Sequence, residues 1–240
     1  MRGWCAAIVL ALGSLAAGCG DTPAPPERAV TASPSPAAAA PRARTVRFKA
    51  ADGQAVSAEY TPAGANAPAV VLLHEIRGGP GQWADLVPEL HAAGFATLAY
   101  SSRPSVMERE RIRDLLGAVR WLRRRPDVDR RRLGLVGASI GASTTVFAMA
   151  TGTRRTVDAA VALSPPDSAD IWRLQGGDRY RPHDLLLVSD ERESSAVAGM
   201  MEGAVRSHAL QSQRAGHGVA LLAESDVREA LLAWLEDRVR

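Results

Sequence analysis

Gly137-Ala138-Ser139-Ile140-Gly141 decides how the rest of this chain is read. The residues before it, Arg132-Leu133-Gly134-Leu135-Val136, read as a short buried strand, and Ala142 to Ala150 read as a helix. A serine on so sharp a strand-to-helix turn needs almost no side chain two residues before and two after it. Glycine at both places removes the Cβ clashes. The turn lifts the hydroxyl clear of the backbone and sets the Ile140 amide beside any carbonyl the hydroxyl attacks. With a strand before and a helix after, Ser139 reads as a nucleophile; the plainer reading is a tight structural turn.

Working outward, Val46 to Lys49 and Val56 to Tyr60 read as two strands joined by the Asp52-Gly53 turn, a hairpin signal. Ala69-Val70-Val71-Leu72-Leu73 is apolar throughout, as a strand buried on both faces requires. A helix ending at Gly94 follows, and Pro88 predicts that its regular part starts late. Phe95 to Tyr100 is the next strand. Ile112, Leu115, Leu116, Val119 and Leu122 then recur at helical spacing until Pro126 ends the run. Beyond Ser139, Val157 to Leu163 and Leu185 to Val188 are two more buried strands, and Ser207 to Gln211 is a weaker one. The last helix carries Val227, Ala230, Leu231, Trp234 and Leu235 on one stripe, with Asp226 and Glu229 spaced as a capping pair. Alternating strands and helices predict an α/β fold, a mostly parallel central sheet covered by helices on both faces. In such sheets ligands sit at the carboxyl ends of the strands, where Ser139 lies.

A serine hydroxyl is a poor nucleophile until a base takes its proton, and the base needs an orienting acid. Of five histidines, His217 is the expected base. It sits in Gly216-His217-Gly218, a loop between the weak strand and the last helix that is free to reach across the sheet edge. His91 falls on a helix, His183 before a strand and His208 within one. The acid is expected just after the strand Leu185 to Val188, within Ser189-Asp190-Glu191-Arg192-Glu193. Asp190 is the shorter side chain and closer to the strand end; the bland alternative is that these are solvated surface acids. The oxyanion formed on attack needs two preorganised donors. Ile140 N–H is one. The glycine-rich loop His74-Glu75-Ile76-Arg77-Gly78-Gly79-Pro80-Gly81 is expected to aim the second, from Glu75 or Ile76, with His74 as a structural hydrogen-bonding residue.

Competing chemistries fail on inspection. His74-Glu75-Ile76-Arg77-Gly78 lacks the second histidine of a zinc-protease helix, and Gly137 to Ser143 lacks the lysine of a phosphate loop. Glycines 78, 79 and 81 do not match a dinucleotide fingerprint, and Lys49, the sole lysine, is poorly placed to activate Ser139. The only cysteines are Cys5 and Cys19, so the domain holds neither a disulfide nor a cysteine metal site. Net charge is +3, and the arginines around Arg109 to Arg132 fall on the polar side of a helix, interspersed with acids and without stacking aromatics. They read as a solvated face, not a nucleic-acid surface.

The chain's start reads as an export signal. Met1-Arg2 precedes an apolar run from Trp4 to Ala17 that is too short for a stable membrane span. Leu15-Ala16-Ala17-Gly18-Cys19 resembles a bacterial lipoprotein signal, which implies that Cys19 is lipidated and becomes the mature N-terminus. An ordinary signal peptide cut nearby, or an uncleaved anchor, is the plainer reading. Gly20 to Arg44 is rich in Pro, Ala, Ser and Thr and reads as a flexible tether between membrane and domain. The expected organisation is therefore a signal over 1–18, lipidated Cys19 and tether over 19–44, and one domain over 45–240, in a membrane-anchored lipoprotein of the bacterial cell envelope.

Within 45–240, Leu72-Leu73-His74-Glu75, Gly94 to Tyr100, Gly137 to Gly141, Leu163-Ser164-Pro165 and Gly216-His217-Gly218 together resemble the α/β-hydrolase family, in its dienelactone-hydrolase-like and small serine esterase branch. The resemblance implies an α/β-hydrolase fold and a Ser-His-acid acyl hydrolase working without metal or cofactor on a small-molecule ester or acyl substrate. Dienelactone hydrolases carry cysteine at the position of Ser139, which favours esterase-like chemistry. Relatives place the acid about three positions after a small turn residue, and that spacing selects Glu193 over Asp190. The strand end Tyr100-Ser101-Ser102-Arg103 departs from the family, keeping Arg103 alone. The span 166–182, with Trp172 and Tyr180, is either a small cap or a plain connection. The rival reading is a catalytically silent lipoprotein of this fold that binds a small molecule or a protein; a peptidase ranks below both.

Overall fold

In the computed structural model the described residues are 42–103, 108–151, 157–166 and 180–239. The export signal, Cys19, most of the tether and most of the 166–182 span lie outside them. Residues 40–240 form one compact unit.

Eight strands form one sheet: β1 (Arg44–Lys49), β2 (Ala55–Thr61), β3 (Ala67–Leu73), β4 (Ala96–Tyr100), β5 (Val128–Ala138), β6 (Ala159–Leu163), β7 (Leu185–Ser189) and β8 (His208–Gln211). Their order is β1-β2-β4-β3-β5-β6-β7-β8. β2 is antiparallel to both β1 and β4, and the remaining pairs are parallel. Successive side chains of a strand point to opposite faces, so a strand covered on both sides must be apolar at every position. In β3, Val71 and Leu73 enter one core while Val70 and Leu72 enter the other. The first core is closed by α2 (Glu108–Leu122) and α3 (Ile140–Ala150) through Leu115, Val119, Leu122, Val146 and Met149. The second is closed by α1 (Leu86–Ala92) and the C-terminal helix Ser225–Val239 through Leu86, Leu90, Val227, Leu231 and Leu235.

Several local expectations shift. β5 starts at Val128 rather than Arg132, because Val128 pairs with Ala67 across an irregularity before the regular ladder. Pro88 lies in the first turn of α1, where its missing N–H costs nothing. A short helix not anticipated from sequence, α4 (Ser194–Met200), follows β7 and turns Val197 and Met200 into the core. The last helix, α5 (Ser225–Val239), starts ahead of the expected capping pair. The Glu224 carbonyl already accepts from Arg228 N–H at 3.3 Å, so Asp226 and Glu229 lie inside the helix rather than bracketing its entry. Arg111 is also not on a solvated face. It is buried, donating to Thr144 Oγ1 at 3.0 Å and pairing with Glu108 at 2.5 Å.

Candidate active site

Ser139 ends β5 and opens α3 with φ 51° and ψ −116°, a conformation that is strained for a residue bearing a Cβ. The flanking glycines are there because backbone occupies the space of any side chain. A Cβ on Gly137 would lie 2.3 Å from Gly141 O and 2.4 Å from Thr145 Oγ1. One on Gly141 would lie 2.3 Å from Leu73 O and 2.9 Å from His74 O. The elbow is thus pressed against the end of β3, where the glycine-rich loop begins. Ser139 N–H donates to Leu163 O at 2.9 Å, fixing the turn to β6.

The structure brings His217 to this serine from 78 positions away, with Nε2 2.9 Å from Ser139 Oγ. On its other side Nδ1 is 2.7 Å from Glu193 Oε1. A carboxylate only accepts, so Nδ1 carries the proton, and Nε2 is left as acceptor for the serine hydroxyl. Glu193 ends the 3-10 turn Glu191–Glu193, which leads from β7 into α4. Its second oxygen is buried and has no hydrogen-bond partner among the described residues.

Asp190 does not join this arrangement. Its carboxylate takes Arg192 N–H at 3.0 Å, Arg192 Nε at 2.8 Å and Gly216 N–H at 3.3 Å. Hydrogen bonding from Arg192 holds its carboxyl below the usual carboxylate range, despite burial acting the other way. Asp190 therefore caps the turn that carries Glu193 and ties down the residue before His217. The signal that separates the two acids is Arg192, one basic residue beside Asp190 that a spacing rule ignores.

Of the three amides expected to face the oxyanion, one is occupied. Glu75 N–H donates to Gln82 Oε1 at 3.1 Å, which removes it from that role. Ile76 N–H and Ile140 N–H have no acceptor among the described residues. Gln82 went unnoticed in sequence; it fills the space beside Gly78, where a Cβ would lie 1.9 Å from Gln82 Oε1. His74 is a structural residue as expected. Its Nδ1 donates to Glu75 O at 2.6 Å and its Nε2 accepts from Ser102 N–H at 2.9 Å. His91 contacts Pro62 O at 3.1 Å, His183 faces Asp184, and His208 is exposed on β8. A cavity of about 480 Å³ between β1 and α2, rimmed by Arg47, Lys49, Arg120 and Arg124 over Phe48 and Trp121, does not include Ser139.

Comparison with known proteins places the fold. The family model described as BAAT / acyl-CoA thioester hydrolase C terminal matches residues 116–214, a stretch that includes Ser139 and Glu193 and stops short of His217. A search of curated proteins finds no match. Among solved structures, a dienelactone hydrolase from Anabaena variabilis superposes with a TM-score of 0.68 at 19% identity, over 84% of this chain and 100% of that one. An esterase from Pyrococcus furiosus gives 0.68 at 16%, over 83% and 94%. A thermostable carboxylesterase from a metagenomic library gives 0.63 at 18%, over 83% and 90%. The chain has the α/β-hydrolase fold.

Proposed function

We propose that this protein is a serine hydrolase that cleaves a carboxylic ester, or a related acyl bond such as a thioester, through an acyl-enzyme. The observation that carries the reading is the hydrogen-bonded line from Ser139 Oγ through His217 to Glu193, at 2.9 and 2.7 Å. In this reading Ser139 Oγ attacks the acyl carbon while its proton passes to His217 Nε2. Glu193 holds Nδ1–H and stabilises the imidazolium. The oxyanion is received by Ile140 N–H and Ile76 N–H. The tetrahedral intermediate collapses, the leaving alcohol or thiol takes the proton from His217, and the acyl group stays on Ser139. Water, deprotonated by the same His217, then attacks the acyl carbon and frees the acid and the serine. The thioester option rests on the family resemblance over 116–214.

Export and lipidation at Cys19 belong to the same proposal and rest on the sequence alone, since those residues lie outside the described ones. Mass spectrometry of the membrane fraction is expected to show a mature chain starting at an acylated Cys19; a free cysteine or a cut elsewhere would refute the anchor. For the chemistry, hydrolysis of short activated esters is expected to disappear to background in Ser139→Ala, with the circular dichroism spectrum unchanged. Full activity in that variant would remove Ser139 from the mechanism.

A further inference from the structure

The side chain of Glu75 joins two loops that the proposed chemistry needs to keep in register. Its Oε1 accepts Val219 N–H at 2.7 Å, across 144 positions of sequence. Val219 lies two residues beyond His217, at the start of the 3-10 turn Gly218–Ala223. Gly218 adopts φ 58°, and a Cβ there would sit 1.8 Å from Glu75 Oε1. The loop of the base is therefore drawn so close to this carboxylate that any side chain at this left-handed position would have to displace it. Oε2 faces Gln82 Nε2 at 3.3 Å, and Gln82 Oε1 in turn holds Glu75 N–H at 3.1 Å. The Glu75 carbonyl takes Gly78 N–H at 2.9 Å and His74 Nδ1–H at 2.6 Å. Every polar atom of Glu75 is thus engaged, and the engagements reach three separate segments.

Beyond His217 the loop is held by Ala220 N–H on the His217 carbonyl at 3.1 Å and by buried Leu221 and Leu222, but the ring itself is less enclosed. The imidazole is half exposed, at 51% of its side-chain surface, so its position depends on hydrogen bonds rather than packing. Glu193 and Ser139 hold the ring. Asp190 holds the backbone one residue before it, through Gly216 N–H. Glu75 holds the backbone two residues after it. Glu75 is also the residue immediately before Ile76, the remaining oxyanion amide of its loop. A shift of the loop on either side of this carboxylate moves base and oxyanion donor relative to each other. Misplacement by about 1 Å is enough to cost on the order of a hundredfold in rate.

Resting on the hydrolase reading above, we infer that Glu75 is a positioning residue: its carboxylate locks the His217 loop to the loop presenting Ile76 N–H, so that base and oxyanion donor form one rigid unit. It touches no reacting atom and acts through the backbone of Val219. The bond is charge-assisted, roughly twice as strong as its neutral counterpart.

The test uses the full chain and three variants. Glu75→Ala is expected to lower kcat for an activated ester by about a hundredfold while KM stays within about threefold. Glu75→Gln keeps the shape but sets two amide donors facing each other at Gln82, and is expected to lose about tenfold in kcat. The exchange Glu75→Gln with Gln82→Glu restores donor against acceptor at that contact, leaves Val219 N–H an acceptor, and is expected to return kcat to within about fivefold of wild type. Hydrogen exchange at Val219 reads the lock without any chemistry: it is expected to be slow in the wild type and the exchanged pair, and faster in Glu75→Ala. A wild-type kcat in Glu75→Ala, or a paired variant no better than Glu75→Gln alone, overturns the inference. So does a loss appearing only in KM. If the wild type itself hydrolyses nothing, the hydrolase reading fails, and unchanged exchange at Val219 in Glu75→Ala is then what overturns the lock.

Discussion

The two rims of the sheet both force non-glycine residues into positive φ, and they resolve it differently. On the rim where parallel strands begin, the strained positions are Asn66 before β3, Asp184 before β7 and Arg206 before β8, the first two of residue types that tolerate this backbone. Their polar groups are engaged at once: Asn66 O accepts from Arg132 at 2.9 Å, and the Asp184 carboxylate takes Arg206 at 2.7 and 2.5 Å. On the rim where the strands end, the strained residues are Arg77 in the loop after β3, Ser139 after β5 and Ser164 after β6. Ser164 Oγ is buried without a partner among the described residues, as is one oxygen of Glu193. Strain of this kind costs of order 1–3 kcal/mol per residue and persists where surrounding structure over-determines it. The first rim closes its own account locally. The second leaves polar capacity unused beside the hydrogen-bonded Ser139, as the proposed acyl chemistry requires.

The largest effect that sharpens this contrast is expected at Gly141. Its Cβ position is filled by the backbone of β3, which cannot swing aside as a side chain can. Gly141→Ala is expected to cost about 3 kcal/mol or more in urea unfolding and to abolish hydrolysis. Gly53, in the β1–β2 hairpin, meets nothing within 4 Å and is held only by φ 88°, so Gly53→Ala is expected to cost about 1 kcal/mol and leave hydrolysis intact. Equal losses at the two sites would mean the elbow is not pressed against β3.

A smaller but more pointed effect separates the two acids at the end of β7. Glu193→Gln is expected to lower kcat by about 10² to 10⁴, the range for disturbing the orienting acid of such a triad. Asp190→Asn keeps an acceptor for Gly216 N–H and is expected to lower kcat by less than about tenfold. The reverse order in a parallel assay would hand the role of acid to Asp190.

Much of this was legible in the chain, and the misses have physical causes. Runs such as Ala69 to Leu73 and Ala159 to Leu163 are apolar at every position because both faces are covered, so they identify strands without help from distant residues. Gly137 is equally local, since what blocks its side chain is Gly141 and Thr145, whereas Gly141 answers to the end of β3, distant in sequence. His217 and Glu193 were reachable because each follows a recognisable strand. What sequence could not give was which polar atoms are already taken. Glu75 N–H is lost to Gln82, Asp190 to Arg192, and the start of α5 to the Glu224 carbonyl. These are choices among partners of equal chemistry, decided by loop geometry that no periodicity encodes.

The smallest effect is expected on the rim where the strands begin. Burial acts to raise the Asp184 carboxyl, but hydrogen bonds from Arg206 and His183 hold it below the ordinary carboxylate range. A carboxyl depressed in the folded state adds stability above its unfolded value of about 4, and that stability fades as pH falls below it. The difference in Tm between wild type and Asp184→Asn is therefore expected to shrink as pH is lowered from 6 to 3. The variant's kcat at pH 7 is expected to stay within about twofold of wild type. A Tm difference that grows toward low pH would reverse the sign assigned to this pair.

The central claim is that Ser139 is held as an activated nucleophile, and covalent capture tests it most directly. The wild-type chain, incubated with a fluorophosphonate probe at neutral pH and measured as an intact mass, is expected to gain one phosphonyl group, with peptide mapping placing it on Ser139. Ser139→Ala is expected to gain none, and His217→Ala to label far more slowly. An unmodified wild-type mass after prolonged incubation, or a label on another residue that persists in Ser139→Ala, would contradict the account.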